Sequence, residues 1–282
     1  MRQATVEYIM GISKEANAFD QIEHRYLNMT REEVIQHIKH VGILPERFDH
    51  DSSEEKLWSK FSDVILATAL NHLGLSSRVI RTRGNAADVF SFASDYTMVG
   101  DAKCFRLSRT AKNQKDFKIK ALDDWRRQNT FALLVAPIYQ FPLDRSQIYS
   151  QAITKNVTLL SYTHLHCLLA CQPQTTLRPL WEVGHLLSQQ NIPPYGRNYW
   201  NTIDRVVADL CGMPLASLKP YKDAEVSLIQ LLATEGIDYW RDKVEYFQSL
   251  SREEAIDLLI KSQKIEQKIQ TLHRVITRKY TV

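Results

Sequence analysis

From Arg78 to Cys171 the hydrophobic pattern keeps changing period, and no other feature limits the fold so tightly. RVIRT at 78 to 82 alternates as a strand does. Residues 88 to 93 and 97 to 105 read as two more strands, joined by the turn-like pair Ser94-Asp95. Residues 113 to 128 read as a helix. FALLVA at 131 to 136 is a short continuous apolar run, the pattern of a buried strand. A helix over 144 to 154, a strand over 157 to 161 and a helix through Cys171 follow. Strands and helices in this order predict an α/β sheet with crossover helices.

Helices flank this stretch on both sides. Thr30-Arg31-Glu32-Glu33 and Ser251-Arg252-Glu253-Glu254 each set a hydroxyl three residues before a Glu, ahead of an apolar-periodic run. That is a capping box, and it predicts helix starts at Arg31 and Arg252. The first of these helices ends near Val41, before Gly42 and Pro45. A second follows Ser52 and Ser53, carries the stripe Leu57, Phe61, Val64 and Ile65, and stops at Gly74. Residues 172 to 202 hold Pro173, Pro179, Pro193 and Pro194 and read as a long irregular connection; from about Ala224 the chain is mostly helical. One domain of 1 to 282 is expected, with a core of about 50 to 171 and helical elaborations at 1 to 49 and 172 to 282.

With 282 residues, 44% of them hydrophobic, the chain can bury a sizeable core. It has no apolar run of the roughly 18 residues a membrane span needs. Its first twenty residues lack the apolar centre of a secretory signal, so a cytoplasmic protein with no membrane partner is expected. Reduced thiols are then expected at Cys104, Cys167, Cys171 and Cys211. His164, His166, Cys167 and Cys171 could form a metal cluster on paper, but the apolar setting LHCLLAC favours buried thiols and a satisfied histidine.

The chemistry gathers between residues 84 and 122. Asp101 and Lys103 flank Ala102 on the third strand. Alternate side chains share a face, so the acid and the amine stand about 6 to 7 Å apart on one side. If the preceding strand pairs antiparallel, Asp88 can approach Asp101. Two close carboxylates repel unless a cation sits between them, and magnesium prefers such oxygen donors together with waters and a phosphate. The ion would polarise the phosphate and lower the pKa of a water. Lys103 would orient that water or stabilise charge in the transition state.

Lys103, Arg106, Arg109, Lys112, Lys115 and Lys118 recur every third residue and Lys120 follows, with Asp116 the only acid among them. Seven cations against one acid give +6 here, in a chain whose total is +4. Such a run is either a solvated helix face or a phosphate-binding patch, and the neighbouring acids favour DNA. Asn113 can read adenine, or it can cap the helix.

Asp88 followed by Asp101-Ala102-Lys103 resembles the PD-(D/E)xK nuclease signature, although no Pro precedes Asp88. The run DAKCFRLSRTAKNQKDFKIKAL resembles the HindIII-type restriction endonucleases, as do VGILPE at 41 to 46, EKLWSK at 55 to 60, RGNAADV at 83 to 89 and SREEAIDLL at 251 to 259. The likeness spans most of residues 30 to 170 and returns at the C-terminus, but thins from 172 to 223. It implies a mixed central sheet flanked by helices, with extra helices at both ends. It further implies a homodimer that cuts double-stranded DNA at AAGCTT after the first A, with Mg2+, in a host carrying a cognate DNA methyltransferase.

Carried over, Asp88 and Asp101 hold the metal, with Ala102 counted beside them, and Lys103 is the catalytic lysine. Asp116 is expected to matter for activity. The family's helix carboxylate falls to Glu55 by the EKLWSK match, or to Glu54 by helical periodicity. DNA contacts are expected from Arg109, Ala111, Lys112, Asn113, Lys115 and Lys118. A DNA-binding protein of the same fold without chemistry is the alternative; the intact Asp88, Asp101 and Lys103 argue against it.

Overall fold

Both capping boxes form. Thr30 and Ser251 accept from the backbones of Glu33 and Glu254, whose carboxylates return to the cap backbones. The computed structural model describes residues 1–81, 86–109, 114–142, 144–263 and 265–277. Helices α1 (Arg2–Ile12), α2 (Ala18–Tyr26) and α3 (Arg31–Val41) lead to the 20-residue α4 (Ser53–His72), which Ser52 caps through the Glu55 amide. The expected apolar stripe understates α4: every residue from Phe61 to Leu70 is buried. A helix covered all round is a core element, not a surface one.

Strands β1 (Ser76–Val79), β2 (Val89–Phe92) and β3 (Thr97–Ala102) form an antiparallel meander, and β4 (Phe131–Ala136) and β5 (Val157–Ser161) extend it in parallel. The result is one mixed sheet in the order β1-β2-β3-β4-β5. Strands β4 and β5 are buried throughout, as continuous apolar runs should be. Helix α4 packs on the antiparallel half. Helices α6 (Ile119–Arg126) and α7 (Gln147–Lys155), the crossovers, pack against β4 and β5 respectively.

The single helix expected over 113 to 128 is two, α5 (Gln114–Phe117) and α6, parted by Lys118 in the left-handed region at φ 49°. Phe117 and Ile119 are both fully buried. Residues two apart on one helix point away from each other, so the break is what lets both enter the core.

Helix α8 (Tyr162–Cys171) docks on α3. Gly42 sits at this junction, where an added Cβ would come within 2.6 Å of the Tyr162 ring and Pro137. The irregular connection expected over 172 to 202 is largely helical instead: α9 (Arg178–Trp181), α10 (Val183–Gln189) and the start of α11 (Gly196–Leu210). Pro179 sits in the first turn of α9, where its missing N–H costs nothing, and Leu180, Trp181, Val183 and Leu187 are buried. Cys171 and Cys211 form a disulfide, against the reduced pair expected. His164 bonds Ser161 and Asp204, and Cys167 is a buried thiol.

The chain divides into two units, Met1–Ala233 and Thr234–Val282, within α12 (Lys219–Ser249). The first holds the sheet and its helices. The second holds the end of α12 with α13 (Arg252–Ser262) and α14 (Ile265–Thr277), and none of its described residues is buried.

Candidate active site

Strands β2 and β3 pair with Val89 opposite Gly100, which brings Asp88 beside Asp101 at the strand ends. The Asp88 amide donates to Gly100 O at 3.2 Å and its carbonyl accepts from Ile80 at 2.7 Å, so Asp88 is stitched to both neighbouring strands. A third carboxylate comes from the middle of α4. Asp63, Asp88 and Asp101 each offer an oxygen, and the three lie within 4.8 Å of one another. Asp101 and Asp63 are buried, at 1% and 3% exposure; Asp88 is the open side.

Two lysines serve this triad. The Lys103 ammonium pairs with Asp101 Oδ2, a contact that the two-residue spacing allows. The Lys103 backbone is pinned twice, its amide to Val135 O at 2.7 Å and its carbonyl by the Tyr162 hydroxyl at 3.1 Å. From one turn before Asp63, Lys60 reaches Asp88 Oδ1 at 3.0 Å and Asp63 Oδ2 at 3.5 Å. Burial pushes the Asp63 carboxyl well above its usual range; Asp88 adds to this and Lys60 opposes it. Burial alone would lower Lys103, but Asp101, Asp88 and Asp63 outweigh it and its proton is held more tightly than usual.

Glu55 does not join this group. Its carboxylate accepts from the Asp51 amide at 2.8 Å and pairs with Arg106 at 3.2 Å, tying the start of α4 to the segment after β3. Glu54 is held low chiefly by a hydrogen bond from Ser13. Asp116, on α5, pairs with Arg109 outside the triad. Ala102 can offer a cation only its carbonyl, which accepts a long 3.4 Å bond from Ser62. Lys118 is exposed. Ala111, Lys112 and Asn113 lie outside the described residues, as does the side chain of Lys115. The basic run is therefore less free than its spacing suggests, since Lys103, Arg106 and Arg109 all have acidic partners.

Asp63 is what pattern reading missed. It is the only acid between Lys56 and Gly74, set in the apolar run FSDVILATAL. A charge in the buried stretch of a core helix is costly unless something pairs it, and that cost was the available signal.

Three oxygen donors converging from a helix and two strands suit a hard divalent cation. Asp101 Oδ2 supports the fit, because it is buried and, apart from the Lys103 ion pair, accepts no hydrogen bond of good geometry. A family model described as HindIII restriction endonuclease matches residues 11–276. The chain belongs to the HindIII restriction endonuclease family. The type II restriction enzyme HindIII of Haemophilus influenzae is 36% identical over 255 residues, covering 88% of this chain and 85% of that one. Membership in the HindIII family makes the protein a type II restriction endonuclease, a site-specific DNA hydrolase; that membership implies a divalent metal, and the acidic triad is compatible with one. The match runs through residues 172 to 223, where the motifs had thinned. No described helix is long and apolar enough to cross a membrane.

Proposed function

We propose that the protein cuts both strands of AAGCTT after the first A, with magnesium held by Asp63, Asp88 and Asp101. The observation that carries this is the convergence of those three carboxylates beside Lys103. Magnesium bound there would polarise the scissile phosphate and make a nearby water easier to deprotonate. Lys103 keeps its proton among three acids, so it serves as a fixed positive charge and donor for the phosphate in the transition state, not as a base. Asp101 aims it, and the Tyr162 and Val135 contacts hold its backbone still. The Ala102 carbonyl is a further oxygen at the same strand end.

In this reading Arg109, Lys112, Lys115 and Lys118 hold phosphates, which positions DNA without specifying sequence. Ala111 and Asn113 read bases. Asp116 sets the angle of Arg109, and Glu55 supports the same segment through Arg106. The core of about 50 to 171 carries the chemistry and the flanking helices support it. A palindrome has a two-fold axis, so the reader is a homodimer sharing it. It works in the cytoplasm of a host whose methyltransferase protects the same site.

A sequenced plasmid tests this. With magnesium it should give discrete fragments whose ends map to AAGCTT with 5′ overhangs; a smear, or ends at another sequence, would contradict the assignment. Asp101→Asn and Lys103→Ala should each lose at least about a hundredfold in cutting rate yet still retain DNA in a gel shift with calcium. Near-normal cutting by either variant would remove that residue from the chemistry.

A further inference from the structure

The mechanism uses Lys103 and leaves Lys60 without a task, although Lys60 touches two of the three carboxylates. Its ammonium lies 3.0 Å from Asp88 and 3.5 Å from Asp63, where one positive charge meets oxygens of both. A cation bridging those carboxylates needs the same oxygens. We infer that Lys60 is a built-in placeholder cation, which occupies the Asp63–Asp88 side of the triad and is displaced when a divalent ion binds; this rests on the metal reading above.

Charge and mobility separate the two lysines. With all acids ionised, three carboxylates against two ammonium groups leave one negative charge, so the empty site is nearly neutral. A divalent ion added with both lysines in place would reverse the sign and crowd like charges together. One ammonium has to withdraw. Lys103 is the more buried and is pinned at both its amide and its carbonyl. Lys60 is twice as exposed as Lys103, at 38% against 19%, and reaches from α4 on a flexible four-carbon stem. The Phe19 ring lies 5.7 Å from its ammonium and gives it an aromatic face to withdraw to. While it stays, Lys60 compensates the buried Asp63 and the open Asp88. Once a divalent ion supplies that charge, Lys60 is surplus. The device keeps the metal-free enzyme folded at the expense of metal affinity.

Calcium binding to the full-length protein without DNA tests this, by calorimetry and with no reliance on cleavage. Lys60→Met should bind calcium about tenfold more tightly, the scale of one unit charge removed from a half-exposed site, while Lys60→Arg should stay near wild type. Equal or weaker binding by Lys60→Met, with an unchanged circular dichroism spectrum, would overturn the placeholder. If Lys60→Met does not fold, the wild type labelled with 13C-lysine decides. The Lys60 side-chain resonance, assigned by its loss in Lys60→Arg, should move on calcium saturation, and a stationary signal overturns the inference. No calcium binding by wild type or variant would overturn the metal site as well; equal binding by both would overturn Lys60 alone.

Discussion

His37 sits among aromatic edges, with Tyr26, Phe61 and His40 ring centres 5.3 to 5.4 Å away and its Nδ1 buried without a partner. Burial, with the N-terminal amine and Arg25 adding to it, pulls its pKa down from 6.5 to about 4. His40 is lowered in the same direction, by burial and then by Arg2. A folded value below the unfolded one means that the unfolded chain binds more protons in this window. The stability is present in full above about pH 6.5 and is lost as pH falls toward 4. For His37 alone the loss at pH 5 is about 2 kcal/mol. Urea unfolding at pH 7.5 and 5 should show it, and His37→Leu should shrink the difference between the two pH values by that amount; an unchanged difference would mean that His37 does not titrate this way. The residues of the site were legible to different degrees. Asp88, Asp101 and Lys103 declared themselves because strand alternation converts spacing into proximity. Asp63 did not, since its partners lie 25 and 38 residues further along the chain and only the packing of α4 on the sheet unites them. Glu55 drew attention by its motif, but its carboxylate serves the start of α4 and Arg106.

Between α5 and α6 the chain turns on Lys118 at φ 49°. A left-handed conformation costs a residue with a Cβ about 1 to 2 kcal/mol, which glycine does not incur. Burial of Phe117 against Phe105 and Phe141, together with Ile119, offsets that cost. Lys118→Gly should therefore raise stability by up to about 1 kcal/mol, read as a higher melting temperature, while reducing the salt slope of DNA binding by about one unit if the ammonium holds a phosphate. A fall in melting temperature would show that the turn is not strained at Lys118, and an unchanged salt slope would take Lys118 off the DNA. Elements were legible where a local rule sets them. The capping boxes gave the starts of α3 and α13, and continuous apolar runs gave β4 and β5. Helices α9 to α11 escaped because prolines read as breaks, yet Pro179 opens a helix and the Pro193-Pro194 pair precedes one. The Lys118 break escaped because periodicity sees a basic stripe and not the two buried side chains beside it.

At the scale of the whole molecule the unit from Thr234 to Val282, taken by itself, carries a broad apolar surface. Its helices expose Trp240, Val244, Phe247, Leu259, Ile269 and Leu272, each close to or above half of its full area, and none of its described residues is buried. Helices gain most of their stability by burying an apolar face, so this unit needs a cover. In the homodimer proposed above, a second copy of the chain would supply one by symmetry, the same side chains meeting their own counterparts across the two-fold axis of a palindromic site. Light scattering should then give twice the mass of one chain, and Trp240→Glu combined with Leu259→Glu should reduce it to one. The monomer should keep its triad, because Asp63, Asp88, Asp101 and Lys103 all lie in the unit from Met1 to Ala233. It should therefore still bind calcium with wild-type affinity while losing concerted double-strand cutting, so that supercoiled plasmid accumulates as nicked circles before any linear form appears. A double variant that remains dimeric would place the shared surface elsewhere. One that turns monomeric and still linearises plasmid directly would separate dimerisation from the cutting of both strands.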